Sequence, residues 1–143
     1  DFNARVASLC LSIGGQVWIS DDLNGQARLI ADLKDLPSSH YLVREIHLTN
    51  LPVSDGWLWM VPKLQALKVL QLNGTRIDDA GLEVLAKAQK LESLSLDGTR
   101  ISEAGLEHLA ALKQLKTLSL RDTRIPAAQV AGLKQKLPTT DIQ

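Results

Sequence analysis

The sequence contains a single cysteine, Cys10, among 143 residues. An internal disulfide is therefore excluded, stability must come from packing, and the cellular compartment stays open. No apolar run approaches the roughly 20 residues needed to cross a bilayer, so we expect no membrane partner. Net charge is missing as well, because 16 basic residues balance 16 acidic residues. The domain as a whole is thus not attracted to nucleic acid or to anionic lipid.

Signatures of catalysis and of cofactor binding are also absent. The chain has no phosphate-binding loop, no dinucleotide fingerprint and no G-x-S-x-G motif. His40, His47 and His108 are too scattered along the chain for a metal site. Cys10 lies on an apolar helical stripe, which is typical of a core residue rather than a nucleophile. We therefore expect no catalysis, no metal and no cofactor, and a small hydrolase is the alternative that the histidines leave open.

The composition that remains is that of one globular domain. Apolar residues make up 45% of the chain and charged residues 22%, and 143 residues are enough to bury a core. Because the sequence does not begin with methionine, we expect either a piece of a longer protein or a processed chain.

A 24-residue repeat organises most of the chain. The phrases LKVLQLNGTR, LESLSLDGTR and LKTLSLRDTR begin at Leu67, Leu91 and Leu115. Residues 43–66 keep apolar residues at the same positions and are interpreted as a degenerate first copy, and Ile142 begins a closing half-unit. Within a copy, leucines two apart predict a short strand, and later leucines three apart predict a helix. One unit cannot bury its apolar face alone, so the copies should stack around a shared core.

Polar residues recur at fixed places in the same copies. Thr75, Thr99 and Thr123 are expected to be buried and to bond turn backbone groups, since an unpaired buried group costs about 1–3 kcal/mol. Asp78 and Ser102 stand at helix N-cap positions, and Pro126 replaces them in the last copy.

These motifs resemble the leucine-rich-repeat family. LKVLQLNGTRI, LESLSLDGTRI and LKTLSLRDTRI follow the pattern L-x-x-L-x-L-x-x-N/C-x-L, with threonine where the family usually has asparagine or cysteine. DDAGLEVLAKAQK and SEAGLEHLAALKQ look like the bacterial subtype, in which a short helix follows the strand. The resemblance implies an α/β leucine-rich-repeat solenoid, a short curved parallel sheet backed by helices. Residues 43–143 would contain four repeats, which start near residues 43, 67, 91 and 115, followed by a closing half-repeat.

Residues 1–42 fall outside the repeat and are expected to form an N-terminal cap of the same domain, with a capping helix followed by a strand or hairpin. Residues 2–12 carry an apolar helical stripe that includes Phe2, Val6, Leu9 and Cys10. Val17 and Ile19 alternate as in a strand, which we expect to pair beside the copy that begins at Val43.

Residues 24–36 allow two interpretations. Asn24-Gly25 favours a tight two-residue hairpin turn, in which Asp21 would face Arg28. The spacing of Leu29, Leu33 and Leu36 fits a helix equally, and we favour the hairpin.

A parallel sheet backed by helices offers its strands as a concave surface. The outward positions follow from the alternation of side chains along each strand, and they are not needed for packing. We call this surface the strand face, and its candidate contact residues are Trp18, Glu45, His47, Thr49, Val69, Gln71, Asn73, Ser95, Asp97, Ser119 and Arg121. Trp18 is aligned with His47 in the central column. We expect a non-catalytic module that binds a protein partner, or an adjacent domain of the same polypeptide, through this face. The opposing interpretation is a strand face that is only solvated.

A second candidate surface is the segment WLWMVP. Trp57, Trp59 and Met60 are placed on the solvent side of a helix, where they would form an exposed apolar patch. A structural or regulatory domain would pack through this patch against another domain or subunit. The competing expectation is that the cap or a neighbouring domain covers it.

Arginines at one position of each turn form a third candidate, a column of Arg76, Arg100 and Arg124. We expect a solvated rim whose guanidinium groups bond turn carbonyls, although such a column also suits an anionic partner. No aromatic residue interleaves with it, so we expect no nucleic acid.

Overall fold

A computed structural model describes every residue from Asp1 to Gln143. The strands are β1 (Gln16–Ser20), β2 (Arg28–Ile30), β3 (Leu42–His47), β4 (Val69–Gln71), β5 (Ser93–Ser95), β6 (Thr117–Ser119) and β7 (Asp141–Ile142). They form a seven-stranded sheet in the order β2-β1-β3-β4-β5-β6-β7. Strands β3 to β7 are parallel neighbours in chain order, whereas β1 runs antiparallel to β2 and β3. The predicted parallel stack is therefore confirmed.

The repeat length sets the register of the parallel strands. Glu45 pairs with Val69, Val69 with Ser93, and Ser93 with Thr117, so that residues 24 apart are neighbours. A slip of one residue would turn the buried leucines outward, because side chains alternate between the two faces of a strand. The sequence period thus specifies which residues point to solvent.

Short helices form the other side of the coils: α1 (Phe2–Ser12), α2 (Asp79–Leu85), α3 (Leu106–Ala110) and α4 (Ala127–Lys136). In the first coil a 3₁₀ helix, Asp55–Lys63, takes the place of an α-helix. Pro62 inside it lacks the N–H that an α-helix would use. None of the helices combines the length and the apolarity that crossing a membrane requires.

Helix starts follow the polar positions of the repeat. The side chain of Asp78 accepts a hydrogen bond from the Ala80 N–H at 2.9 Å, and Ser102 Oγ accepts one from the Ala104 N–H at 3.3 Å. Pro126 occupies the N-cap of α4. Asp78 caps α2, and Ser102 caps the 3₁₀ turn Glu103–Gly105 that leads into α3. Both predicted N-caps are thus confirmed, and they satisfy backbone donors that have no partner within the helix.

The interior is one continuous cluster of 36 buried apolar residues. Leu70, Leu94 and Leu118 lie in three successive strands and are each 1% exposed. Burying one such leucine stabilises the fold by about 1.5–3 kcal/mol. Each leucine packs against the coil before it and the coil after it. The contacts that couple the folding of neighbouring coils therefore lie in this layer.

The turn that follows each strand is stabilised by threonine. Thr75 and Thr99 are 4% exposed, and their hydroxyls donate to Leu72 O and Leu96 O at 2.6 Å each. Thr123 Oγ1 makes the same bond to Leu120 O at 2.8 Å. These bonds confirm that the repeated threonine bonds the turn backbone, but Thr123 is only partly buried, so its predicted burial was wrong.

One residue before the threonine position, the backbone is left-handed in every coil. The residues there and their φ angles are Asn50 at 59°, Gly74 at 64°, Gly98 at 65° and Asp122 at 55°. Glycine, asparagine and aspartate are the residues that adopt this conformation with the least strain. This requirement explains why the repeated phrase changes between N-G-T and R-D-T without a change of fold.

The N-terminal helix lies where the sequence predicts it. Val6 and Cys10 are buried in the common core, but Leu9 is 41% exposed and Leu11 is buried in its place. The assignment of Leu9 to the apolar stripe was therefore wrong. Its exposure follows from the helix packing through the face that carries Ala7 and Leu11.

The hairpin interpretation of residues 24–36 is confirmed, but its predicted turn is wrong. Arg28 pairs with Ile19 rather than facing Asp21, so the loop spans residues 21–27 instead of two residues. Asp22 Oδ1 accepts hydrogen bonds from the N–H groups of Asn24 at 2.7 Å and Gly25 at 2.6 Å. This aspartate-centred turn replaces the tight Asn-Gly turn. A single 3₁₀ turn, Leu33–Asp35, follows β2.

Two carboxylates tie the start of a helical segment to the coil before it. Asp55 Oδ1 accepts from the Asp78 N–H at 3.1 Å. Asp79 accepts from the Ser102 N–H at 2.8 Å and from Ser102 Oγ at 2.6 Å. Next to the second contact, a Cβ at Gly105 would lie 2.5 Å from Asp79 Oδ1. The repeated A-G-L motif therefore keeps glycine because the carboxylate of the preceding coil occupies the space.

Glu92 links three successive coils just before their strands begin. Its Oε1 lies 2.5 Å from Lys68 Nζ, and its Oε2 lies 2.5 Å from Lys116 Nζ. Hydrogen bonds from Lys116, and then from Lys68, hold the pKa of Glu92 below its usual range. The pair of contacts stabilises the ionised carboxylate.

We predict that Gly105→Ala lowers the free energy of unfolding by about 1–3 kcal/mol, because the new methyl group overlaps Asp79 and Leu82. Gly132→Ala is the matched control, since nothing lies within 4 Å of a Cβ built there. This second change is expected to stabilise α4 by about 0.5–1 kcal/mol. Urea unfolding of both variants measures the two effects, and equal destabilisation would contradict the proposed crowding.

We also predict that Glu92→Gln lowers the free energy of unfolding by about 1 kcal/mol at neutral pH. The native pKa of Glu92 is depressed, so the unfolded chain takes up a proton at a higher pH than the native chain does. The stabilisation is therefore present above the ordinary glutamate pKa and is lost as the pH falls through the native pKa. Urea unfolding at neutral and acidic pH should show the difference closing on acidification.

The control for this prediction is Glu83→Gln, at an exposed helix position without an ion pair. Its stability should match that of the natural chain at both pH values. A loss in Glu92→Gln that persisted unchanged at acidic pH would show that the lysines do not interact with the ionised carboxylate.

Candidate functional site

The register of the seven strands arranges the strand face in rows. The first row, read across the sheet from its free N-terminal edge, is Leu29, Trp18, Glu45, Val69, Ser93, Thr117 and Asp141. Neighbours in such a row have Cβ atoms about 4.5–5.5 Å apart and can contact one ligand together. The row passes from the large side chains Leu29 and Trp18 at the N-terminal end to Ser93, Thr117 and finally Asp141 at the other.

The second row is Gln16, His47, Gln71, Ser95 and Ser119. The alignment of Trp18 with His47 was therefore wrong: Gln16 pairs with His47, and Trp18 pairs with Glu45. The tryptophan nevertheless contacts the histidine diagonally, with ring centroids 4.1 Å apart and a tilt of 42°. This contact holds both rings in fixed positions on the face.

His47 and Glu45 lie next to each other on strand β3. His47 Nε2 is 3.5 Å from Glu45 Oε2 and forms no hydrogen bond. Burial lowers the pKa of His47, and the carboxylate of Glu45 opposes that effect only in part. The imidazole is thus neutral at neutral pH.

The third row consists of Thr49, Asn73, Asp97 and Arg121. Two of its side chains are bonded to the second row. Asn73 Oδ1 accepts hydrogen bonds from Ser95 Oγ at 2.6 Å and from the Asp97 N–H at 2.9 Å. Asp97 Oδ1 makes the same pair of contacts one coil later, with Ser119 Oγ at 2.6 Å and the Arg121 N–H at 2.9 Å. The assumption that these side chains are free for a ligand was therefore wrong. They form an internal ladder, which the sequence alignment did not predict.

The remainder of the third row differs at its two ends. Thr49 is exposed and takes no part in the ladder. At the other end, Arg121 Nη2 donates to Gln143 Oε1 at 2.6 Å. Free side chains are consequently concentrated in the N-terminal half of the strand face. That half contains a shallow depression of about 290 Å³, lined by Gly14, Gln16, His47, Thr49, Leu51 and Gln71.

Two residues of this half were missed in the sequence. Leu29 is 47% exposed. Since residues 24–36 allowed either a helix or a hairpin, the sequence did not predict on which face of the sheet its side chain lies. Gln16 enters the second row because the β1–β3 register shifts between Trp18 and Ile19. The alternation of Val17 and Ile19 was the one signal that placed Gln16 and Trp18 together on the outer side.

The segment WLWMVP does not form the apolar patch that was predicted. Met60 is 3% exposed and belongs to the core, and Trp57 is half-buried against it. Only Trp59 is open, at 53% exposure. Its ring meets Phe2 of the capping helix edge-on at 5.9 Å, and Lys63 Nζ lies 4.6 Å from its centre. The tighter 3₁₀ winding turns the methionine inward, and the cap covers part of the remainder.

The turn arginines also differ from expectation. Arg76, Arg100 and Arg124 are exposed, and their guanidinium groups form neither ion pairs nor hydrogen bonds with turn carbonyls. The predicted bonds to carbonyls were therefore wrong. Neighbouring acidic side chains such as Asp78 and Asp79 are instead occupied in capping the helices.

The remaining reactive side chains are separated from one another. Cys10 is fully buried, and burial raises the pKa of its thiol to about 12. His40 bonds Asp1 at the N-terminus, with Nδ1 and Oδ2 2.6 Å apart. No group of three or more His, Cys, Asp or Glu side chains is arranged to hold a metal ion.

Comparison with known proteins identifies one unit of the repeat directly. A family model described as Leucine Rich repeat matches residues 63–86, which include β4 and α2. No curated protein matches the sequence.

Solved structures of repeat proteins also match. A leucine-rich-repeat protein of Leptospira interrogans is 19% identical, with a TM-score of 0.44, over 59% of this chain and 27% of that chain. An internalin from Listeria monocytogenes is 21% identical, with a TM-score of 0.42, over 59% of this chain and 30% of that chain. The chain thus spans less than a third of either protein. Residues 63–86 therefore match a leucine-rich repeat, and further coils in the same strand register follow this unit, so the fold is an α/β solenoid of stacked repeats.

Proposed function

We propose that this solenoid is a protein-interaction module, and that its partner binds the N-terminal half of the strand face. The partner is a separate protein or an adjacent domain of the same polypeptide. The contact surface consists of Leu29, Trp18, Glu45 and Val69 in the first row and Gln16, His47 and Gln71 in the second.

The observation that carries this proposal is the uneven distribution of side chains along the face. Leu29 and Trp18 stand beside one another at its N-terminal end, and tryptophan is enriched among the residues that dominate binding energy. Ser95 and Ser119 at the other end are already bonded within the ladder. A partner therefore gains large apolar contacts beside free hydrogen-bonding groups at the N-terminal end.

Rigidity supports the same location. The Trp18 ring contacts the His47 ring, with the two centroids 4.1 Å apart. Trp18 lies on β1 and His47 on β3, and these two strands are paired in the sheet. Side chains that are already ordered lose little conformational entropy when a partner binds. A preformed surface of this kind favours binding without rearrangement of the solenoid.

A second candidate is docking of another domain through Trp59, because this side chain is 53% exposed. With Met60 buried and Trp57 half-buried, the docking surface is limited to Trp59 and its neighbours Phe2 and Lys63. Such an interface would still place a neighbouring domain against the capping helix.

We predict that Leu29→Ser combined with Gln71→Ala reduces partner binding at least about tenfold, because the two changes together remove an apolar contact and a hydrogen-bonding group from the proposed surface, at a cost of about 1.4 kcal/mol or more. Leu29 lies on β2 and Gln71 on β4, and neither belongs to the buried core, so the variant should unfold at a similar urea concentration. Affinity capture from a lysate of the source organism, quantified by mass spectrometry against the natural chain, measures the loss.

Two further variants accompany this experiment. Trp59→Ala tests the second candidate surface, and Glu83→Ala with Lys87→Ala changes exposed helix residues as a control. The control should capture the partner at the natural level. A partner that is retained by the strand-face variant and lost with Trp59→Ala would contradict the proposed surface.

A further inference from the structure

Glu45 is a carboxylate without a cationic partner in the middle of the proposed surface. It neighbours Trp18 across β1–β3 and Val69 across β3–β4. Its side chain is 30% exposed, and the one basic nitrogen within 4.0 Å is His47 Nε2, at 3.5 Å. Its oxygens accept no hydrogen bond from the chain. The carboxylate therefore retains most of its capacity to accept from a ligand.

The charges around Glu45 leave this end of the strand face negative. From β1 the side chains that face it are Gln16 and Trp18, and from β4 they are Val69 and Gln71, none of which is charged. His47 is neutral at neutral pH, since burial lowers its pKa. Glu45 is thus the one carboxylate in the N-terminal part of the first row, among Leu29, Trp18 and Val69, and it determines the sign of the potential there.

The basic residues nearest in sequence do not neutralise this carboxylate. Lys34 Nζ pairs with Asp32 at 3.3 Å, and Arg44 Nη1 donates to Leu23 O at 2.8 Å. Arg28 neighbours Ile19, whose side chain points to the buried side of the sheet, so Arg28 lies on the side opposite Glu45. Residues 16–47 as a whole contain five acidic and three basic side chains.

An aromatic ring beside a carboxylate is an arrangement suited to a cation. Trp18 is the direct cross-strand neighbour of Glu45, and the face of an indole ring attracts a cation within about 6 Å of its centre. A carboxylate adds a charge-assisted hydrogen bond to the same group. Beyond Trp18 in the row, Leu29 is 47% exposed and offers an apolar contact.

We propose, on the basis of the protein-binding function above, that the partner presents a basic side chain next to an apolar one. The basic group lies against Trp18 and Glu45, and the apolar group packs over Leu29. Arginine fits better than lysine, because its planar guanidinium can stack on the indole while it donates two hydrogen bonds to the carboxylate.

Two short peptides test this assignment on the complete 143-residue chain. One is acetyl-leucyl-arginine amide, and the other is acetyl-leucyl-citrulline amide, which has nearly the same shape without the charge. The measurement is the shift of the Trp18 indole N–H signal in proton–nitrogen NMR spectra as each peptide is added to millimolar concentration. The signal is assigned by its absence in Trp18→Phe.

The arginine peptide is expected to bind at least about threefold more tightly than the citrulline peptide. Glu45→Gln, which keeps the shape of the side chain, should remove that preference. Glu83→Gln, an exposed carboxylate on α2, should leave it unchanged. Acidification that protonates His47 should weaken the preference, because the imidazolium then neutralises Glu45.

Equal affinity for the two peptides, no shift with either peptide, or a preference that survives Glu45→Gln would each overturn the assignment. These results are independent of the capture experiment. If capture depends on Leu29 and Gln71 while the peptides bind equally, the surface is correct and the cationic partner is wrong. If the arginine preference is found while capture is unaffected by those changes, the proposed function fails instead.

Discussion

Side-by-side pairing of parallel strands, with one leucine layer shared between coils, is the interaction on which the rest of the molecule depends. Each coil leaves the apolar side of its strand open, and the next coil closes it through Leu70, Leu94 and Leu118. Because the leucine layer covers only one side of the sheet, the opposite side must face solvent. The strand face therefore exists as a consequence of how the core is built, before any ligand is considered.

Polar side chains extend the same coupling beyond the core. The Asn73–Ser95 and Asp97–Ser119 contacts join neighbouring coils on the strand face. Asp79 joins two coils at a helix start, and Glu92 joins coils just before their strands begin. Each hydrogen bond contributes only about 0.5–1.5 kcal/mol, but all of them oppose sliding between coils. The consequence for function is that the C-terminal half of the face uses its polar groups for stability and has few left for recognition.

The sequence predicted what the repeat length controls. Residues 24 apart had to become neighbours once strands stacked in parallel, so the rows that contain Val69, Ser93 and Gln71 followed from counting. The sequence did not predict the position of Trp18, because β1 runs antiparallel and its pairing shifts beside Ile19. It also did not predict the inward turn of Met60, which follows from the 3₁₀ winding around Pro62. Periodicity specifies positions within the repeat, whereas pairing and winding outside it depend on local geometry.

The cap is therefore where recognition can differ from the rest of the solenoid. Within the repeat, a residue on the strand face has a counterpart 24 residues later, and the register forces the two together. The antiparallel hairpin ends this rule at the N-terminal edge, so that Leu29, Trp18 and Gln16 join the rows without copies of themselves further along. A structure that closes the exposed end of the core thus also supplies an aromatic ring and an apolar edge, and places them beside Glu45 of the first repeat. Strand β1 can both close the core and contact a partner. Val17 and Ile19 cover the core, while the alternate residues of the same strand remain free for a partner.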